Sequence, residues 1–139
     1  MPIQVSPYLG FNGKCREAMT YYHECFGGDL TFMTVAETPV AAQCPSGIQD
    51  HIMHSMLANG AFVLMATDMS RPDIVTEGAG TAISLNFDTE ADIRVCYEKL
   101  AAGGKVLDPL QNSFWGSLFG VLADKYGKVW LLNYDKQKH

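Results

Sequence analysis

The chain has 139 residues, of which 47% are hydrophobic, and it carries 10 Lys and Arg against 15 Asp and Glu. This length and composition suit one domain with a sizeable core, and the acidic balance argues against a nucleic-acid or anionic-membrane partner. No stretch approaches the roughly 18 apolar residues of a membrane helix. The first ten residues do not resemble a secretory signal, so we expect a cytoplasmic protein.

The first half of the chain predicts a strand, a helix and then three strands. A strand-like run at 7–11 is followed by apolar residues at three- and four-residue steps from Cys15 to Phe26, the pattern of a helix with one buried face. We expect Asn12 or Gly13 to begin this helix and a double glycine to end it. The three further strands are predicted at 30–36, 51–58 and 61–67.

The second half repeats this order at a constant offset. A strand is predicted at 81–87, and Asp88 or Thr89 can cap the helix that follows. Since a βαβββ unit exposes an apolar sheet face that it cannot cover alone, we expect two such modules side by side in one α+β domain. Three more strands are predicted at 105–108, 117–123 and 129–134, and Phe11, Tyr21, Gly27 and Gly28 correspond to Phe87, Tyr97, Gly103 and Gly104, 76 residues later in every case.

The two modules are predicted at 1–68 and 81–139, with a polar linker containing Pro and Gly at 69–80. The first module alone has an insertion at 37–50. An insertion of this length is either a lid or partner contact, or a surface segment without a role.

The four cysteines, Cys15, Cys25, Cys44 and Cys96, are widely spaced and form no CxxC pair. Disulfide scaffolds and structural zinc sites both have closer pairs, so we expect reduced thiols. Cys15 and Cys25 also lie on the apolar face of the first helix, where a thiol acts as a small hydrophobic group.

Four segments carry a resemblance to a known family: residues 7–28, the IMHSML run at 52–57, residues 114–133 and the CPSG of the insertion. Together they resemble the PhnB-like branch of the vicinal oxygen chelate superfamily, which includes glyoxalase I, bleomycin-resistance proteins and extradiol dioxygenases. The resemblance implies cupped mixed β-sheets with helices outside, a cleft for a small-molecule ligand, and a homodimer. In enzymatic members it also implies a divalent metal held by His, Gln or Glu from the first and last strands of each module.

The corresponding strands of this chain offer no strong metal ligand. The first strand has only Tyr8, and the strand at 61–67 has no His, Gln or Glu. The second module offers Ser84 and Asn86 on its first strand, and about Leu131 at the matching position of its last strand. Because the chemistry of the superfamily needs a Lewis acid on three or four N or O ligands, we expect neither a metal nor another cofactor. The alternative is a metal enzyme with unusual ligands, such as His54 with Glu37, Asp50 or Asp68.

Two histidines lie close together on the third predicted strand. Their spacing of three places His51 and His54 on opposite strand faces, so they cannot readily share a metal. We expect His54 and Met56 to face the cleft, and Met53, Ser55 and Leu57 to form the alternate, more core-like set. A histidine that only hydrogen-bonds near the sheet surface is the other interpretation.

Aromatic residues cluster in the segment at 111–120. Phe114, Trp115 and Phe119 either line an apolar pocket or lie in the core or at a dimer contact. On the last strand, Trp130 is expected to face the helices and Leu131 the opposite side. The predicted ligand-binding residues are Tyr8, His54, Met56, Ser84, Trp115 and Phe119.

Three functions follow, in order of preference. The first is a metal-independent small-molecule-binding protein or enzyme with an apolar cleft. Covalent catalysis has no positive support, because no nucleophile–base pair is recognisable from spacing. The second is a divalent-metal enzyme of the glyoxalase or dioxygenase type, and the third is a dimeric interaction module without a ligand. The fold supports many chemistries, so family membership alone does not choose among them.

Overall fold

A computed structural model describes residue 3, residues 5–69 and residues 80–136. The chain divides into two compact units, Met1–Thr76 and Glu77–His139. Positions 70–79 of the predicted linker lie outside the described residues, so the module boundaries at 68 and 81 stay predictions.

The first unit has one helix against a four-stranded mixed sheet. The strand order is β1-β4-β3-β2, in which β1 runs parallel to β4 and the other neighbours are antiparallel. The helix packs against β2, β3 and β4. Its elements are β1 (Tyr8–Gly10), α1 (Cys15–Phe26), β2 (Asp29–Thr34), β3 (Ile52–Asn59) and β4 (Phe62–Thr67).

The second unit repeats this arrangement. Its strand order, β5-β8-β7-β6, matches that of the first unit strand for strand, again with one parallel pair. The predicted pair of βαβββ units in an α+β fold is therefore confirmed. The elements are β5 (Ile83–Phe87), α2 (Glu90–Ala101), β6 (Lys105–Asn112), β7 (Ser117–Ala123) and β8 (Val129–Asp135).

The beginning of α1 differs from the prediction. Neither Asn12 nor Gly13 caps the helix; a carboxylate oxygen of Asp68 instead accepts hydrogen bonds from the N–H groups of Gly13 (2.8 Å) and Cys15 (2.9 Å). Its other oxygen accepts from Ile52 N–H at 2.9 Å. The cap thus comes from the end of β4, so the helix terminus is satisfied only after the sheet has formed.

The beginning of α2 is capped by a residue next to the helix in the sequence. Thr89 has extended backbone and accepts a hydrogen bond from the N–H of Asp92 at 3.1 Å, as expected for a threonine at the N-cap. Of the two predicted capping residues, Thr89 is the one used.

The double glycines after the helices allow a close backbone approach. A Cβ on Gly28 would lie 2.5 Å from the carbonyl oxygen of Ala58, and a Cβ on Gly104 would overlap the carbonyl oxygen of Ala123. Only a residue without a side chain fits at these positions. Each glycine therefore fixes the distance between a helix–strand turn and the third strand of its own unit.

The core of each unit lies between its helix and its sheet. Ser55 and Leu57 on β3 are fully buried and Met56 between them is half-buried, the alternation expected of a strand with one covered face. Met53, expected in the same core-like set, is instead half-buried and Ile52 is buried, where the register with β2 shifts. In the second unit Trp130 is fully buried, as predicted, and its indole N–H donates to Asp124 at 2.8 Å.

Strand β6 is longer than predicted. The sequence signal ended at Asp108 because Pro109 has no N–H to donate, but β6 continues to Asn112. Proline is tolerated here because β6 is an edge strand, and the pairing with β7 is irregular on both sides of Asp108.

The insertion at 37–50 is organised around one amide. The side chain of Gln49 donates to the carbonyl oxygens of Ala41 (2.8 Å) and Cys44 (3.2 Å), which ties successive turns together. Three 3₁₀ turns form in and beside it: Val35–Glu37, Ala41–Gln43 and Ser46–Ile48.

None of the four cysteines, which all lie in the described part of the chain, forms a disulfide, and Cys15 and Cys96 are buried. Neither helix in the described part of the chain is long and apolar enough to span a membrane.

Candidate ligand-binding site

Each sheet has one face covered by its helix and one face that the helix leaves open. In the first unit His54 and Met56 lie on the open face, since they alternate with the buried Ser55 and Leu57. The ring centroid of Tyr8 lies 6.2 Å from that of His54. The structure thus brings together the three predicted site residues of this unit.

The open face of the first sheet is rich in methionine. Met56 pairs with Met65 on β4, Met65 pairs with Tyr8 on β1, and Met33 pairs with His54. Thioethers on unbranched side chains can adapt to ligands of irregular shape. Tyr8 is 54% exposed and Met33 is 46% exposed, so this face is accessible in the described structure.

The residues of the first unit do not fit a divalent metal of the kind that the enzymatic relatives hold. The first and last strands present Tyr8 and Met65 side by side, a phenol and a thioether, neither of which is a strong ligand for a hard divalent ion. Among the described residues, no group of three or more His, Cys, Asp and Glu side chains lies close enough to hold a metal.

The proposed alternative ligands have other roles. Both carboxylate oxygens of Asp68 are engaged by backbone N–H groups. Glu37 accepts from the N–H and hydroxyl of Thr34 at 3.0 and 2.8 Å, and these hydrogen bonds lower the pKa of Glu37. Asp50 is exposed within the insertion, and His51 lies one residue before β3.

The open face of the second sheet carries a row of three side-chain amides and one aromatic ring across its four strands. Gln111, Phe119, Asn133 and Asn86 are consecutive cross-strand partners. The amide of Asn133 donates to the side-chain oxygen of Asn86 at 3.3 Å. In the next row Ser84 pairs with Leu131, a hydroxyl beside an alkyl group, so the second unit offers no stronger metal ligand at the corresponding positions.

The second unit has a cavity of about 300 Å³ at the β6–β7 end of the sheet. Its walls combine apolar rings with a few polar groups, the composition typical of small-molecule sites. The aromatic lining residues are Phe114, Trp115 and Phe119, and the polar ones are Asp108, Gln111, Asn112 and Ser113.

The three rings meet edge to face. The Phe114 and Trp115 centroids are 4.9 Å apart at 87°, and those of Trp115 and Phe119 are 5.4 Å apart at 76°. Phe114 is 97% exposed and Trp115 is 50% exposed. The alternative in which these two rings belong to the core is therefore wrong.

A serine at the start of the β6–β7 turn holds the rings in place. The Ser113 hydroxyl donates to the carbonyl oxygen of Ser117 (2.9 Å) and accepts from Ser117 N–H (3.1 Å). Gly116 has φ +88°, a conformation that favours glycine. The turn thus projects Phe114 and Trp115 away from the core.

The predicted site residues of the second unit do not all share this cavity. Trp115 and Phe119 line it, whereas Ser84 lies on β5, at the opposite edge of the sheet from β6. The polar lining residues Asp108, Gln111, Asn112 and Ser113 were not predicted as site residues. The strand signal stopped at Pro109, so the polar run at 111–113 was not placed on β6, although that run was the available clue.

Comparison with known proteins agrees with this fold. The crystal structure of protein PA1353 from Pseudomonas aeruginosa is 38% identical, with a TM-score of 0.84 and coverage of 96% of this chain and 98% of that chain. The PhnB protein from Bacillus cereus is 23% identical, with a TM-score of 0.73 and coverage of 95% and 99%, which shows a shared fold.

Curated relatives and a family model extend this agreement. Protein YjdN of Escherichia coli (strain K12) is 31% identical, over 99% of this chain and 98% of its own length. The model of the Glyoxalase/Bleomycin resistance protein/Dioxygenase superfamily matches residues 7–132. The resemblance predicted from the sequence is confirmed, and the chain belongs to the Glyoxalase/Bleomycin resistance protein/Dioxygenase superfamily.

Proposed function

We propose that this protein binds a small, largely apolar molecule without the help of a divalent metal. The observation that carries the proposal is the cavity at the β6–β7 end of the second sheet, with three aromatic side chains and a polar margin. Its volume of about 300 Å³ lies at the lower end of the range for small-molecule sites. A compact ligand with one ring, or a short branched ligand, fits this size.

Metal independence is supported by the chemistry of the residues at the expected ligand positions. Tyr8 pairs with Met65 and Ser84 pairs with Leu131, so these pairs present no imidazole or carboxylate, and the row beside Ser84 adds only the amides of Asn86 and Asn133. A Lewis-acid mechanism of the family type needs several converging N or O ligands. Ligand recognition is then left to aromatic and amide groups.

The predicted homodimer and cytoplasmic location belong to the same proposal. Support for the dimer comes from the family resemblance. Sedimentation velocity of the purified chain tests the dimer: a single species at twice the monomer mass is expected, and a monomer at all concentrations would contradict it.

Ligand binding can be tested with neutral one-ring compounds such as benzyl alcohol and phenol, by saturation-transfer NMR. Contact is expected in protein treated with EDTA, unchanged after Zn²⁺, Ni²⁺ or Mn²⁺ is added. Phe119→Ala removes a wall of the cavity and is expected to weaken binding about tenfold, whereas the control Phe62→Ala changes a ring of the first unit and leaves binding intact.

Two results would overturn the proposal. Binding that disappears with EDTA and returns with a metal favours the metal-enzyme alternative. A complete absence of contact with every compound, in protein that unfolds cooperatively, favours the interaction module.

A further inference from the structure

Three aromatic rings that line the cavity contact one another in sequence. In an edge-to-face pair one ring directs its edge at the face of the other, and the successive angles of 87° and 76° turn the three rings in different directions. Aromatic faces are electron-rich and attract cations, most strongly for tryptophan. Trp115, the middle ring, contacts both phenylalanines and lines the cavity.

The residues that line the cavity include one acidic residue, Asp108, which is exposed. Asp108 lines the cavity, and the β6–β7 register shifts on both of its sides, between Val106 and Asp108 and between Asp108 and Gln111. Such irregularities redirect a side chain from its regular alternation. The hydroxyl of Tyr97 donates to the backbone carbonyl oxygen of Asp108 at 3.0 Å and fixes this part of the strand.

The charge of Asp108 is not neutralised by any salt bridge among the described residues. Burial and the negative charge of Asp108 together raise the pKa of Tyr97. The ammonium group of Lys136 donates to the side-chain oxygen of Asn112, another residue that lines the cavity. Lys136 is exposed and does not line the cavity.

We propose that the ligand of this cavity is an organic cation, a quaternary or protonated amine, held on the face of Trp115 with Asp108 as its counter-charge. The inference rests on the proposed function and names its ligand class. Phe114 and Phe119 supply the adjacent walls, so a trimethylammonium group or a group of similar size contacts more than one ring. Neutral and anionic ligands gain no charge pairing with the carboxylate.

The test compares choline with 3,3-dimethyl-1-butanol, its neutral carbon analogue, by isothermal titration calorimetry and saturation-transfer NMR. Choline is expected to bind at least about tenfold more tightly than the neutral analogue. The difference is expected to shrink as salt is raised from about 50 to 500 mM, because the pairing with Asp108 is partly screened.

Variants separate charge from shape. Asp108→Asn is expected to weaken choline binding about three- to tenfold and to leave the neutral analogue unchanged, whereas the control Asp88→Asn, an exposed carboxylate outside the cavity, changes neither. Lys136→Gln removes a repulsive charge and is expected to strengthen choline binding about twofold. Trp115→Leu abolishes the preference for choline, and Trp115→Phe retains most of it.

The outcomes distinguish this inference from the proposed function. Equal binding of choline and its neutral analogue overturns the cation inference and leaves the small-molecule function standing. Binding of neither compound also overturns it, and if benzyl alcohol and phenol fail as well, both proposals are wrong. A third outcome combines two results: the native chain does not bind choline, and Phe114→Ser converts a dimer into a monomer. Together they would assign the rings to a contact between two copies and contradict the inference.

Discussion

Asp68 joins three parts of the first unit through one carboxylate, which accepts hydrogen bonds from Gly13, Cys15 and Ile52. Asp68→Asn replaces one acceptor oxygen with a donor that faces a backbone N–H. Because the group is buried, we expect the free energy of unfolding to fall by about 2–4 kcal/mol, measured by urea denaturation with circular dichroism. Asp88→Asn, at an exposed carboxylate, is the control and should change stability by less than about 0.5 kcal/mol. Equal effects of the two variants would show that Asp68 is not a structural cap.

Cys15 gives the stability a dependence on alkaline pH. Burial raises the pKa of its thiol from 9.0 to about 11, although the hydrogen bond with Ser55 opposes the rise. Since the folded pKa lies above the unfolded one, the protonated thiol contributes stability that is complete below pH 9.0 and is lost as pH rises through about 11. Over this window, urea titrations should show a loss roughly 1–3 kcal/mol larger in the native chain than in Cys15→Ala. Parallel pH profiles for the two proteins would contradict this assignment.

At the scale of elements, the turns after the two helices depend on the same close approach. Gly28→Ala and Gly104→Ala place a methyl group against the carbonyl oxygens of Ala58 and Ala123. The backbone must shift to admit this methyl group, so we expect each change to lower the free energy of unfolding by about 2–4 kcal/mol. The loss is measured as a lower melting temperature. Gly47→Ala is the matched control, because a Cβ there meets nothing within 4 Å and the expected change is close to zero. Tolerance of alanine at both positions would show that the two turns are not constrained as described.

The elements themselves were predictable where the signal is local. Period-two alternation on β3 assigned Leu57 to the covered face, and the repeated glycine pairs predicted both helix ends. The cap at Asp68 was not predictable, because it acts across 53 residues of sequence. The polar wall of the cavity was missed for a related reason: the position of Asp108 depends on strand register and irregular pairing, which no local pattern encodes.

At the scale of the whole molecule, the same strand order in both units predicts that neither unit needs a metal, and one experiment tests this. Both units offer the same kind of first- and last-strand pair, Tyr8 with Met65 and Ser84 with Leu131, without a strong ligand. EDTA is therefore expected to leave the melting temperature within about 1 °C, as is added Zn²⁺ or Mn²⁺. A drop of several degrees with EDTA, reversed by one of these ions, would contradict the metal-independent function.

The chain contains two tryptophans, and the structure gives them different surroundings. Trp115 is half exposed beside the cavity, whereas Trp130 is fully enclosed and bonded to Asp124. Acrylamide in solution can collide with the first indole and not with the second while the protein is folded. A ligand in the cavity is therefore expected to reduce the quenching of Trp115 fluorescence. Quenching of Trp130 is expected to begin only when the protein unfolds, so neither measurement needs an attached dye.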